Sequence, residues 1–241
     1  MQILGKISKK IKTSKFFIPY RLAFRRIGEN KTAALAEQFW KNKRNDEHPF
    51  GKDLYEHILK DIDLDNINKV LEFGASFGQN LSYYAINNVD ELVGIDINQL
   101  VKKRESEWPN YSGIVGNQQK LKDYSDNYFD VAFTLSVLDH IASRKEVKLV
   151  IEQMVRISKN TYILEPYIVN IEGDVSGLTR AEVKPDLPFP EKCFYEHSYL
   201  WDYSKICKEL ELEATFVANP MHDHSLGPFY CYIKISASAK N

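Results

Sequence analysis

One short stretch of the chain carries the residue types and spacing of a ligand-binding turn. Glu72 stands two residues before Gly74, and Gly78 follows four residues later, within residues 69–81. The apolar residues before the turn have the β-branched and aromatic character of a buried strand. The residues after it follow a helical pattern. A strand that turns on glycine into a helix brings bare backbone close to a ligand at the carboxyl edge of a parallel sheet.

The spacing of the glycines distinguishes two kinds of ligand. A dinucleotide-binding turn requires G-x-G-x-x-G, which places a pyrophosphate on the helix N-terminus. That pattern fails here because Ser76 stands at the second glycine position, and the pattern present is E-x-G-x-x-x-G. The Glu72 carboxylate would repel a pyrophosphate, but it suits a ligand that carries an ammonium and a sulfonium. At this point the sequence resembles the class I methyltransferases that use S-adenosylmethionine (SAM), whose first motif has this form.

The resemblance covers residues 66–237 and implies a fold. It implies an α/β, Rossmann-like class I methyltransferase fold with helices on both faces of a seven-stranded, mostly parallel sheet. The implied strand order is 3-2-1-4-5-7-6, with an antiparallel last strand. We expect a SAM-binding domain over residues 66–241 and an N-terminal helical extension and cap over residues 1–65. A glycine- and proline-marked insertion at 167–196 is too long for a plain connection and is expected to build a substrate wall.

The strands that follow the glycine turn support this interpretation. Asp96 ends a second buried strand, where a carboxylate can accept both ribose hydroxyls of a nucleoside. Asp96 or Asn98 could instead cap the next helix. A third strand ends before Asn117, whose amide oxygen can accept a hydrogen bond from an adenine amino group. The fourth strand, at residues 128–134, runs into a Val-Leu-x-His segment that resembles the family's fourth-strand motif.

The rest of the chain continues the alternation. We expect a helix at 143–157, a fifth strand at 161–166 and a helix at 199–210, and then strands at 213–218 and 230–235 as a hairpin. The resemblance implies a set of cofactor-binding residues at the carboxyl ends of the first four strands: Glu72, Gly74, Ala75, Ser76, Gly78, Asn80, Asp96, Ile97, Asn117, Gln118, Thr134 and Leu135.

Methyl transfer from a sulfonium requires mainly alignment of the acceptor, methyl group and sulfur. A hydroxyl acceptor also gains from a nearby base, most often histidine. The candidate catalytic residues are His140, His197, His222 and His224, with Glu165 as a partner for one of them or for a substrate amine. Each histidine has a structural alternative, and His140 could simply pack beneath the cofactor. The candidate substrate-binding residues are Trp40, Tyr55, Tyr167, Arg180 and Tyr195.

The segment His222-x-His224 could also hold a divalent metal, because alternate residues of an extended segment point the same way. Without a third ligand in the sequence, no metal site is predicted. Three widely spaced cysteines among the 241 residues predict free thiols rather than a disulfide framework or a zinc site. No apolar run approaches the length of a membrane span, so a cytoplasmic location is expected.

The net charge of the chain and the charge of its first residues bear on the kind of substrate and partner. A formal net charge of −1 disfavours a DNA or RNA substrate. Residues 1–28 are basic and contain no acid, which would suit contact with an anionic membrane, a helical cap with solvated lysines, or an acidic partner.

The sequence therefore predicts a SAM-dependent methyltransferase that acts on a hydroxyl of a small molecule. Residues 74–81 and 94–98 also resemble methyltransferases found with bacterial surface-glycan biosynthesis, which implies a sugar, a sugar nucleotide or a capsule phosphoramidate precursor as the acceptor. Two alternatives stay open: methylation of a small amine, and a catalytically silent SAM-binding protein.

Overall fold

The computed structural model describes residues 66–86, 89–166, 199–218 and 230–236. The predicted N-terminal cap at 1–65 and the insertion at 167–196 lie outside the described residues. The described part forms one sheet with helices, built from seven strands: β1 (Lys69–Phe73), β2 (Glu91–Asp96), β3 (Tyr111–Val115), β4 (Phe129–Leu135), β5 (Ser158–Pro166), β6 (Glu213–Ala218) and β7 (Tyr230–Ser236).

The strands lie in the order β3-β2-β1-β4-β5-β7-β6. Neighbours among β1 to β5 pair in parallel, and β7 pairs antiparallel with both β5 and β6. The expected fold is confirmed, including the antiparallel insertion of the last strand. The sheet reverses its strand order between β1 and β4, and open α/β sheets bind ligands outside the carboxyl ends of the strands at such a point.

Helices and short 3₁₀ turns connect the strands. The helices are α1 (Ser82–Ile86), α2 (Arg144–Ile157) and α3 (Tyr203–Glu209), and the 3₁₀ turns are Gln79–Leu81, Gln99–Arg104, Gln118–Asp123 and Leu138–His140. Helix α2 begins at a cap, since the Ser143 hydroxyl accepts the amide of Glu146 at 3.4 Å. No helix within the described ranges is long and apolar enough to cross a membrane.

Apolar side chains cover both faces of the sheet, as alternation along each strand requires. On one face, Leu71 and Phe73 of β1 pack with the buried stripe of α2. That stripe, Val147, Val150, Ile151 and Met154, has the spacing of one helical face. On the other face, Val70 packs with Leu81 and Tyr84 from the segment after the glycine turn. Helices therefore cover both faces, as the sequence predicts.

The helix predicted at 199–210 begins later than expected. Tyr199 and Trp201 are buried and held by tertiary hydrogen bonds instead: the Tyr199 amide donates to the Asp139 carbonyl at 2.5 Å, and Trp201 Nε1 donates to the Leu138 carbonyl at 3.1 Å. Asp202 then caps α3 by accepting the amide of Lys205 at 3.0 Å. Helical periodicity could not reveal this difference, because contacts distant in sequence decide the path of residues 199–202.

Two glycines near the end of β3 differ in what surrounds them, which gives a test of the packing. A Cβ at Gly113 would lie 2.3 Å from the backbone oxygen of Val101, whereas a Cβ at Gly116 would meet only the Lys120 side chain, at 2.5 Å. We expect Gly113→Ala to lower the free energy of unfolding by about 1–3 kcal/mol, because backbone cannot move aside as a flexible side chain can. Gly116→Ala is the matched control, with an expected change within about 0.5 kcal/mol. Urea denaturation measures both, and equal midpoints for the two variants would refute the described packing of β3.

Candidate functional site

The glycine turn after β1 has the backbone that its sequence requires. Gly74 has φ +81° and Gly78 has φ +77°, values that favour glycine. The amides of Gly74 and Ala75 both donate to the Ile95 carbonyl, at 2.7 and 3.2 Å, so β2 fixes the start of the turn. The Gly78 amide closes it by donating to the Ala75 carbonyl at 2.7 Å.

Gly74 is also the point where the loops after β1 and β4 meet. A Cβ at this position would lie 2.1 Å from Val137 Cγ2, so the Val137 side chain occupies the space above the glycine. The sequence motif predicted a glycine at position 74 but did not indicate which residue packs against it. Only the parallel pairing of β1 with β4 brings Val137 to this place.

Glu72 and Asn80 form a buried pair beneath the turn. Asn80 Nδ2 donates to Glu72 Oε1 at 2.6 Å, and the two side chains are almost entirely removed from solvent. Among the described residues, no hydrogen-bond partner reaches the second oxygen of either side chain, Glu72 Oε2 or Asn80 Oδ1. Buried polar atoms are nearly always paired in folded proteins, so these two acceptors point to a missing donor.

Burial raises the pKa of Glu72 to about 8. The hydrogen bond from Asn80 lowers this pKa, and the nearby charge of Asp96 raises it, but both effects are smaller than that of burial. The carboxyl group of Glu72 is therefore mostly protonated at pH 7 in the protein without ligand. A cation at Oε2 would favour the ionised form.

Asp96 ends β2 and ties the two neighbouring loops together. Its Oδ2 accepts the amide of Ser76 at 2.8 Å, and its Oδ1 accepts the amide of Asn98 at 2.8 Å. Burial raises the pKa of Asp96, and these backbone hydrogen bonds act in the opposite direction. Of the two caps considered from the sequence, the structure uses Asn98, whose side chain accepts the amide of Leu100 at 3.0 Å.

The remaining residues of the predicted cofactor set lie at the same edge of the sheet. Asn117 follows β3 and caps a 3₁₀ turn by accepting the amide of Gln119 at 3.1 Å. Thr134 is fully buried near the end of β4, and its hydroxyl has no hydrogen-bond partner in the part of the chain that the structure describes. Ile97, Gln118 and Leu135 are half-buried beside them. Because β3, β2, β1 and β4 are neighbours, the structure brings the whole set to one edge.

Glu165 holds the loop that follows β4. Its Oε1 accepts the amides of Val137 and Leu138, both at 2.9 Å, and its Oε2 accepts the amide of Asp139 at 3.2 Å. Burial, followed by the charge of Asp139, raises the pKa of Glu165. The sequence suggested a histidine or a substrate amine as its partner. The partners found are three backbone amides that lie 26 to 28 residues earlier in the chain.

His140 closes the 3₁₀ turn that Glu165 anchors. The His140 amide donates to the Val137 carbonyl at 3.0 Å, and side chains three residues apart lie on the same side of a 3₁₀ turn. His140 thus lies one 3₁₀ turn after Val137, whose side chain packs on Gly74. Its Nε2 lies 3.5 Å from Oδ1 of Asp139, a buried carboxylate that the sequence analysis did not select. The only signal for Asp139 was its place before the histidine of the motif.

Several predicted site residues lie outside the described residues: the histidines His197, His222 and His224, and the substrate-binding candidates Trp40, Tyr55, Tyr167, Arg180 and Tyr195. Over the ranges that the structure does describe, no group of three or more His, Cys, Asp or Glu side chains is arranged to hold a metal ion. The structure therefore does not test the hypothesis that His222 and His224 bind a metal.

Comparison with known proteins gives one family match and several structures with the same fold. Residues 71–163, from β1 into β5, match the family described as "Methyltransferase domain". No curated protein matches the chain in sequence. A Bacillus halodurans protein provisionally named a methyltransferase is 11% identical, with TM-score 0.54, and the match covers 78% of this chain and 99% of that one.

Two further solved structures share the fold. One is a chain in the complex between the Haloferax volcanii Trm112 methyltransferase activator and a provisionally named methyltransferase, with 13% identity, TM-score 0.53 and coverage of 84% of this chain and 97% of that one. The other is an O-methyltransferase family protein from Burkholderia thailandensis, with 11% identity and TM-score 0.52. That match covers 74% of this chain but only 53% of that protein. At these identities, the three likenesses show the fold alone.

The cofactor that the match to a methyltransferase domain supports is SAM. The residues present fit this group on two observations. The buried oxygen Glu72 Oε2 lacks a donor within the described ranges, and the adjacent turn is built on two glycines in the left-handed conformation. A ligand with an ammonium would supply the donor that the buried Glu72 carboxyl lacks, and a turn of this kind can bring backbone amides close to that ligand.

The pKa of Glu72 gives a test of its buried position. Between the unperturbed value of 4.5 and about 8, the folded protein holds the Glu72 proton and the unfolded chain has lost it. The free energy of unfolding should therefore fall as pH rises through this window, by at most about 1.4 kcal/mol per pH unit. Glu72→Gln, which keeps an acceptor for Asn80, should remove this part of the pH dependence. Urea denaturation of the ligand-free protein from pH 5 to pH 9 measures it.

The matched control is Glu152→Gln, at an exposed position of α2. Its stability should follow the wild type across the whole pH range. Parallel stability curves for Glu72→Gln and the wild type would contradict the assignment of a proton to buried Glu72.

Proposed function

We propose that this chain, whose residues 71–163 match a methyltransferase domain family, transfers the methyl group of SAM to a hydroxyl group of a small molecule. One observation carries the acceptor side of the proposal: the Gly74–Val137 contact holds the turn that bears His140 against the glycine turn. On this proposal, the base stands near the turn that would hold the methyl donor.

For the cofactor, we assign the ammonium, the ribose and the adenine of SAM to residues at the ends of β1, β2 and β3. Glu72 Oε2 would accept the ammonium, because it is a buried acceptor that lacks a partner within the described ranges. Asp96 would accept the ribose hydroxyls with the lone pairs that the amides of Ser76 and Asn98 leave over. Asn117 and Gln118, after β3, would contact the adenine. Gly74 and Gly78 permit the left-handed backbone of the turn, which can bring its amides close to the ligand.

The acceptor side needs a proton acceptor and little else. Bound SAM supplies a methyl group on a positively charged sulfur, whose departure as a neutral thioether needs no acid. His140, in its neutral form, takes the proton that the acceptor hydroxyl loses. The Glu165 hydrogen bonds keep the His140 turn in place while this happens. The residues of this chain thus contribute binding, orientation and one proton acceptor.

The nature of the acceptor follows from charge and from the sequence pattern. The formal net charge of −1 gives no general attraction for the phosphate backbone of a nucleic acid. The insertion at 167–196 leaves the sheet at the carboxyl edge after β5, so it is the segment that we expect to enclose an acceptor. We therefore propose a small hydroxyl compound. A sugar, a sugar nucleotide or a capsule phosphoramidate precursor is the class to test first.

The test is a screen of the purified chain with isotope-labelled SAM against sugars, sugar nucleotides, phosphoramidates, other small alcohols and small amines. We expect a methylated hydroxyl product. His140→Ala should lower kcat for that product by about 10²- to 10⁴-fold, because the acceptor loses its base. The affinity for S-adenosylhomocysteine, measured by calorimetry, should stay unchanged.

His48→Ala, at a histidine outside the described residues for which the sequence suggests no function, is the matched control and should retain full activity. Methylation of amines alone would contradict the hydroxyl acceptor. Tight binding of S-adenosylhomocysteine without any methylated product would favour a catalytically silent protein. Full activity of His140→Ala would remove His140 from the mechanism.

A further inference from the structure

The turn Leu138–His140 places a buried carboxylate beside the proposed base. Asp139 is 3% exposed, and its Oδ1 has no hydrogen-bond partner within the described residues. His140 Nε2 lies 3.5 Å from this oxygen. This distance is that of an ion pair rather than of a hydrogen bond, and catalytic hydrogen bonds are often long before the substrate binds.

The surroundings of Asp139 limit its movement. Its amide donates to Glu165 Oε2 at 3.2 Å, and its carbonyl accepts the amide of Tyr199 at 2.5 Å. The neighbouring Leu138 carbonyl accepts Trp201 Nε1 at 3.1 Å. The backbone of the turn is thus held from β5 on one side and from the segment before α3 on the other. A carboxylate on so fixed a backbone can orient the imidazole ring that it faces.

We infer that Asp139 is a positioning residue for the reaction: its buried carboxylate orients the His140 imidazole and stabilises the positive charge that the ring gains with the acceptor's proton. This inference rests on the proposed function for the identity of that proton. The pairing of Asp139 with His140 stands on the geometry alone. A buried carboxylate behind a histidine base is the arrangement by which proteins commonly orient imidazole and raise its basicity.

The other ionisable groups around the turn have different contacts. Glu165 on β5 accepts hydrogen bonds from three backbone amides, and burial raises its pKa. Arg144, which begins α2, makes a two-point ion pair with Glu209 of α3 at 2.8 and 2.9 Å. Tyr199 contacts the turn through its backbone amide. Glu72, two residues before Gly74 in the sequence, accepts a hydrogen bond from Asn80, and burial raises its pKa to about 8.

The experiment is NMR titration of the histidines in the full chain, with the His140 signal assigned by its loss in His140→Gln. In the wild type, we expect the pKa of His140 to lie above the reference value of about 6.5. Asp139→Asn, which has the same shape, should lower that pKa by about 1 or more, because an opposite charge is removed within 4 Å. Asp90→Asn, at the amino end of β2 and thus the opposite edge of the sheet, is the matched control and should leave it unchanged.

The kinetic counterpart uses the best acceptor of the methylation screen. Asp139→Asn should lower kcat by about tenfold and move the acid limb of the pH–rate profile down by the change in the His140 pKa. The affinity for S-adenosylhomocysteine should not change, and this also shows that the variant folds.

A wild-type His140 pKa below the reference value, or one that Asp139→Asn leaves in place, overturns the inference. The wild-type measurement decides the question even if the variant does not fold. If the pKa falls as expected and no acceptor is methylated, the pairing of Asp139 with His140 holds and the proposed function fails.

Discussion

The contact between Val137 and Gly74 is the constraint on which the arrangement of this site depends. It exists because Gly74 has no side chain and because β1 and β4 are neighbours at the point where the strand order reverses. Through this contact, the turn proposed to hold the cofactor packs directly against the turn that bears His140. A side chain at Gly74 would both strain a backbone with φ +81° and push the His140 turn away.

Buried acids give this edge of the sheet an unusual electrostatic character. Glu72, Asp139 and Glu165 are each 3% exposed or less. Within the described ranges, no lysine or arginine forms an ion pair with any of them. Burial of unpaired carboxylates is costly and is relieved by protonation or by a cation. An edge of this kind suits a positively charged cofactor and a histidine that becomes charged during the reaction.

The strands and turns of the described residues could be predicted because their signals are local, whereas the strand order was implied by the family resemblance. Buried strands, a glycine turn at Gly74 and Gly78, and acids or amides at strand ends each occupy a few consecutive residues. The features it did not reveal join distant segments: Val137 on Gly74, Glu165 on the amides of the His140 turn, and Tyr199 on the Asp139 carbonyl. Such contacts depend on which strands are neighbours, and the side-chain types alone do not indicate their partners. For the same reason, helical periodicity misplaced the start of α3.

The proposed role of buried, protonated Glu72 is to receive the ammonium of the cofactor. Calorimetric titration of S-adenosylhomocysteine at pH 7, in two buffers of different ionisation enthalpy, measures the number of protons exchanged on binding. We predict binding with the release of nearly one proton, because the ligand's ammonium would convert Glu72, with its pKa of about 8, to the ionised form. Absence of binding, or binding without proton release, would contradict it.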